Sequence, residues 1–114
     1  MTNYLKAKVQ QLENKNQFII TTNENGNITK IFQSYESVCC INQNGKLIFG
    51  KYWDYSNTTR KHLYIFLENY CDYYNYNLSD RAKIKDVLYY SKNKRKDFQK
   101  LIDEKVIDYD GGLY

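Results

Sequence analysis

Gln17-Phe18-Ile19-Ile20-Thr21-Thr22 runs into Asn23-Glu24-Asn25-Gly26-Asn27 and out again through Ile28-Thr29-Lys30-Ile31-Phe32-Gln33-Ser34-Tyr35. Two β-branched and aromatic runs flank an Asn-Gly pair, whose residues accept the positive φ that a tight hairpin turn demands. The pattern repeats at once. Val38-Cys39-Cys40-Ile41 and Lys46-Leu47-Ile48-Phe49 are joined through Asn42-Gln43-Asn44-Gly45, so two hairpins in series predict an antiparallel meander of 3–4 strands over about 17–50. Upstream, Tyr4, Leu5, Val9 and Leu12 form a weak helical stripe in residues 4–16, read as a short helix or an extended lead-in.

Past Gly50 the period lengthens. Leu63, Phe66, Leu67, Tyr70, Cys71 and Tyr74 recur at the spacing of one helical face, with Asp54 or Ser56 as the cap that accepts the first backbone N–H groups. A second helix, capped by Ser79 or Asp80, would carry Ile84, Val87 and Leu88 inward. A third, starting near Ser91 or Asn93, would carry Phe98, Leu101, Ile102 and Val106. Residues 107–109 read as a short strand. Two to three helices over about 57–105, following strands rather than alternating with them, predict an α+β domain with the helices packed on one face of the sheet. The expected core is Ile19, Ile31, Trp53, Leu63, Phe66, Leu67, Val87, Leu88, Phe98 and Leu101.

The length of 114 residues suits a single domain, 1–114. No apolar run is long enough to span a membrane and no secretory core is visible, which points to the cytoplasm. Cys39, Cys40 and Cys71 are three and lack framework spacing, as reduced thiols do. Seventeen basic against 13 acidic residues give a net charge of +4. That permits nucleic acid without demanding it, and argues against an acidic mimic of DNA.

Catalytic chemistry finds little material. His62 falls off the apolar stripe and reads as a solvated surface residue. Cys39 and Cys40 are neighbours in a strand, so they should point to opposite faces, one of them buried. With one histidine and three ill-spaced cysteines, no zinc site is expected, and Asp103, Glu104, Asp108 and Asp110 read as a solvated C-terminal charge cluster. No glycine-rich phosphate loop is present. The expectation is a non-enzymatic protein without cofactor or catalytic residue.

What the chain has in quantity is tyrosine, 13 residues of it. A genome poor in G and C yields much of this composition by codon usage, but not the clustering. Tyr70, Tyr73, Tyr74, Tyr76, Tyr89 and Tyr90 are the candidate partner-binding anchors, because tyrosine is enriched at interface hot spots. Lys92, Lys94, Arg95 and Lys96 are the candidate steering or nucleic-acid-binding charges. Lys83 and Lys85 add to them, with Tyr89 and Tyr90 placed to stack on unpaired bases. Asp86 and Asp97 interrupt the basic run, and a solvated helix face is the ordinary alternative.

Two further stretches stand out: Phe32-Gln33-Ser34-Tyr35, and Lys51-Tyr52-Trp53-Asp54-Tyr55-Ser56-Asn57-Thr58-Thr59-Arg60-Lys61-His62-Leu63. With them the chain resembles a family of short proteins carried by phages, plasmids and other mobile elements. The resemblance implies an accessory gene of such an element, where inhibitors of host defence complexes, anti-CRISPR proteins among them, are common. The expected function is inhibition of such a complex by direct protein binding; the alternative is a small nucleic-acid-binding or regulatory protein. Physically, Trp53 would plug the junction of sheet and helix while Thr58 and Thr59 fill the first turn. Alternatively, Tyr52, Tyr55, Arg60 and Lys61 border a binding patch.

Overall fold

A computed structural model describes residues 5–13 and 15–113. Tyr4 lies outside the described residues. The chain begins with five strands in sequence order, β1 (Leu5–Gln11), β2 (Gln17–Glu24), β3 (Asn27–Ser34), β4 (Ser37–Gln43) and β5 (Lys46–Gly50). Each is antiparallel to the next. The helices follow as α1 (Asn57–Asn69), α2 (Leu78–Tyr90) and α3 (Lys94–Asp103), and a last strand, β6 (Asp108–Asp110), adds beside β5 in parallel. The fold is the α+β class that the sequence predicts, with six strands in place of 3–4.

Of the two further strands, β6 falls where residues 107–109 read as a short strand, and β1 falls where residues 4–16 read as a short helix or an extended lead-in. β1 is an edge strand whose Lys6–Gln11 side chains are all exposed, so no buried face imposes a period-2 pattern, and the weak helical stripe there is accidental. β6 has only three residues, and its side chains are exposed too.

Both Asn-Gly turns form as expected. Asn25 and Gly26 take φ of 53° and 90°, Asn44 and Gly45 of 54° and 70°, and each pair closes a two-residue loop, between Glu24 and Asn27 and between Gln43 and Lys46. Ser56 caps α1 by accepting the Thr59 N–H at 3.1 Å. The cap of α2 is Asn77, two residues before Ser79 and three before Asp80; its Oδ1 accepts the Asp80 N–H at 2.8 Å. Asn93 caps α3.

Ile19, Phe32, Leu47 and Phe49 point from the sheet toward α1, where Leu63, Phe66 and Leu67 meet them. Trp53, fully buried, sits between Phe49 (ring centroids 5.3 Å apart) and Phe98 of α3 (6.4 Å). It is the plug at the sheet–helix junction. Ile31 belongs elsewhere. Val9, Ile20, Ile31, Ile41 and Ile48 stand opposite one another across five strands, so by strand alternation they share the face away from the helices, and Ile31 is only half-buried. Val87 is half-buried as well, packed at the core's margin.

The adjacent cysteines do not alternate. Cys40 pairs with Phe32 and Val38 with Gln33, which leaves Cys39 as an unpaired extra residue in β4. This bulge rotates the strand so that both thiols are buried. His62 is likewise buried, with its Nδ1 2.8 Å from the Thr58 carbonyl oxygen, an arrangement in which Nδ1–H donates. It lies one turn from Thr59 and Phe66, both buried, inside the wide inner stripe of α1 rather than beside it.

Candidate functional site

At the near end of β4 the chain turns through Tyr35 and Glu36. Tyr35 adopts φ 55°, a left-handed conformation that L side chains disfavour by roughly 1–2 kcal/mol. Its backbone is held on both sides: the N–H donates to the Asn16 carbonyl at 2.7 Å, and the carbonyl accepts from Gln33 Nε2 at 2.8 Å. Opposite, the segment between β5 and α1 makes two successive turns, with Trp53 N–H donating to Gly50 O and Tyr55 N–H to Tyr52 O. Because Trp53 is anchored inside, its neighbours Tyr52 and Tyr55 are left outside, and their rings meet edge to face at 6.0 Å.

Between the two turns lies an open cleft of about 780 Å³, bounded by Tyr35, Tyr52 and Tyr55 with Glu36, Ser37 and Asn16. Its floor is Ser34, Cys39 and Thr59. Ser34 Oγ and Thr59 Oγ1 are 2.9 Å apart, and Ser56 Oγ donates to Thr59 Oγ1 at 3.1 Å. This hydroxyl chain joins the end of β3 to the start of α1. Beneath it the layer stays polar. Gln17, opposite Ser34 in the sheet register, is completely buried, and neither its amide nor His62 Nε2 meets a hydrogen-bond partner among the described residues.

The thiol in the floor is held in its protonated form. Burial pushes the Cys39 thiol up to about 11, and its Sγ lies 3.4 Å from the Tyr52 carbonyl oxygen, so the thiol remains protonated at neutral pH. Burial pushes Cys40 and Cys71 up as well. Among the described residues no group of three His, Cys, Asp or Glu side chains is placed to hold a metal ion, and no helix is long and apolar enough to cross a membrane.

Tyr70, Tyr73 and Tyr76, expected as partner-binding anchors, each make a hydrogen bond within the fold. Tyr76 is buried, and its hydroxyl accepts the Leu47 N–H at 2.9 Å, covering a backbone donor of β5 that no strand pairs. Tyr73 donates to the Leu67 carbonyl at 2.5 Å, closing the end of α1. Tyr70 accepts from Gln10 Nε2 at 2.9 Å, tying α1 to β1. They brace the fold because a turn between two helices must bury some of its own side chains against the sheet edge. Tyr74, Tyr89 and Tyr90 remain exposed. Of the basic residues, Arg95 pairs with Asp54 at 3.0 Å and Lys94 donates to the Ser91 carbonyl at 3.2 Å, while Lys92 and Lys96 stand exposed.

Residues 6–86 match the model of DUF8033, a family of unknown function. The chain belongs to the DUF8033 family. No curated protein and no solved structure matches it. The DUF8033 match contains every residue that lines the tyrosine cleft, and it ends before Tyr89, Tyr90 and the basic residues of α3. In the sequence one side of the cleft was visible, Tyr52 with Tyr55, while Tyr35 read as the end of a strand run. Asn16, Ser37 and Gln17 carried no local signal, since only strand pairing brings them there.

Proposed function

We propose that this protein acts by binding another protein rather than by catalysis, and that the partner seats against the cleft between Tyr35, Tyr52 and Tyr55. The observation that carries the reading is the convergence of three exposed tyrosines, from turns separated in sequence, on one open cleft. Tyrosine brings a large, rigid contact surface at low entropic cost, and the one thiol there is held protonated. In the mobile-element setting that the motif resemblance implies, the partner is a host defence complex and the outcome is its inhibition. A nucleic-acid reading draws on the exposed Tyr89, Tyr90, Lys92 and Lys96 at the α2–α3 junction. Arg95 is already engaged by Asp54 there, which weakens it.

Affinity capture from the native cell tests the two. The protein reading expects a defined partner whose dissociation is at least about tenfold faster for the Tyr52→Ala/Tyr55→Ala variant and little changed for Lys92→Ala/Lys96→Ala. Capture that nuclease abolishes, and that follows the lysines rather than the tyrosines, would overturn it in favour of nucleic acid.

A further inference from the structure

We infer that the tyrosine cleft recognises an organic cation, the guanidinium or ammonium end of an arginine or lysine side chain presented by the partner. This rests on the reading of the cleft as the docking site and specifies what it grips. The residues bounding it include three tyrosines and one carboxylate, Glu36, and no lysine, arginine or histidine. In a chain of net charge +4, a concave surface whose described lining carries a carboxylate and no cation is a local exception. The faces of aromatic rings are themselves electronegative and attract cations, the more so as water is displaced.

One such contact is already built in. The Lys51 ammonium lies 5.4 Å from the centroid of the Tyr52 ring, so a cation of the chain itself already occupies that ring and a partner's cation is left the rings of Tyr55 and Tyr35. Tyr55, 68% exposed and edge-on to Tyr52, keeps its own face open, and Tyr35 is exposed on the facing turn. The half-buried Ser37 hydroxyl adds an acceptor for an N–H group of the cation. An anion has no comparable welcome: Glu36 repels it, and the Thr59 N–H at the start of α1 is already taken by Ser56. Two other concavities differ. The one along α3 is lined by Asp54, Arg95, Lys96 and Asp97, mixed in sign and without an aromatic ring, and the one near β6 has a lysine and two aspartates around a single tyrosine.

The test uses the full chain with ¹³C-labelled tyrosine rings. It is titrated with Nα-acetyl-arginine methylamide, with its neutral citrulline counterpart, and with choline as a free quaternary ammonium. The expected result is saturable shifts at Tyr35 and Tyr55 with the arginine probe, about tenfold weaker with citrulline. Glu36→Gln, a surface change that leaves the fold intact, should weaken the arginine probe severalfold and leave citrulline unchanged. Equal affinity for arginine and citrulline, or shifts that never saturate, would overturn the inference. Saturation by choline alone would overturn the assignment to a partner's side chain. If partner capture depends on Tyr52 and Tyr55 while arginine and citrulline bind alike, this inference fails and the docking site stands. If capture ignores the tyrosines, the docking site itself fails.

Discussion

The two tips of β4 solve the same problem differently. At its far end Asn44 and Gly45 take left-handed conformations at φ 54° and 70° with residue types that do so at little cost. That tip is covered: the Asn75 N–H donates to the Gly45 carbonyl at 3.4 Å, Asn75 Nδ2 donates to the Asn44 carbonyl at 2.5 Å, and the Tyr74 ring lies over the glycine. Nearby, the Asn42 side chain exchanges two hydrogen bonds with the Asp72 backbone, at 2.9 and 2.8 Å. At the near end a tyrosine occupies the left-handed position and its ring faces an open cleft. The comfortable turn is the one locked into the fold, and the strained turn is the one that presents a side chain. Strain retained at an exposed aromatic residue suits a binding role.

The largest effect should come from breaking the covered tip. A Cβ at Gly45 would stand 2.7 Å from a Tyr74 ring carbon and 2.9 Å from the Asn75 nitrogen, whereas one at Gly26 would meet nothing within 4 Å. Gly45→Ala should therefore cost about 2–3 kcal/mol in chemical denaturation, and Gly26→Ala about 1 kcal/mol from backbone strain alone. Equal losses would remove the distinction between covered and free tips.

A smaller effect tests the clamp beside Gly45. Burial pushes the Tyr76 phenol up to about 12 from an ordinary value of 10, so folding favours its protonated form. Its contribution is whole below pH 10 and falls away as pH rises through about 12. Tyr73, raised by burial in the same direction, adds to the trend. Tyr76→Phe should lose about 1 kcal/mol at neutral pH, through the unpaired Leu47 N–H, and show a shallower alkaline decline than the parent. A decline of unchanged steepness would exclude Tyr76 as its source.

The smallest effect on stability should come from Tyr35→Gly. Relief of the left-handed strain and the added freedom of glycine in the unfolded chain oppose each other, leaving a change within about 1 kcal/mol. Partner capture should nonetheless weaken severalfold. A loss of several kcal/mol with unchanged capture would make Tyr35 a structural residue and dissolve the contrast between the two tips.

The cleft was half legible before the fold was known. Tyr52 and Tyr55 stand in the stretch that resembles a family of mobile-element proteins, and their exposure follows once Trp53 is anchored. The internal bonds of Tyr70, Tyr73 and Tyr76 were not legible, because a phenol looks the same in sequence whether it faces solvent or bonds within the fold. Tyr76 finds Leu47 across 29 residues and Tyr70 finds Gln10 across 60, distances over which no local pattern carries information.

By itself the sequence determined the elements whose causes are local. Asn25-Gly26 and Asn44-Gly45 dictate their turns through the φ angles that their own residues tolerate, and α1 is dictated by apolar residues three and four positions apart. Tertiary structure alone decided the bulge that buries Cys39 with Cys40, the burial of His62, the parallel seat of β6 and the meeting of the Tyr35 and Tyr55 turns around one cleft. Each of these is set by contact between segments remote in sequence, where burial and hydrogen-bond pairing with a distant neighbour outweigh what the nearest residues prefer.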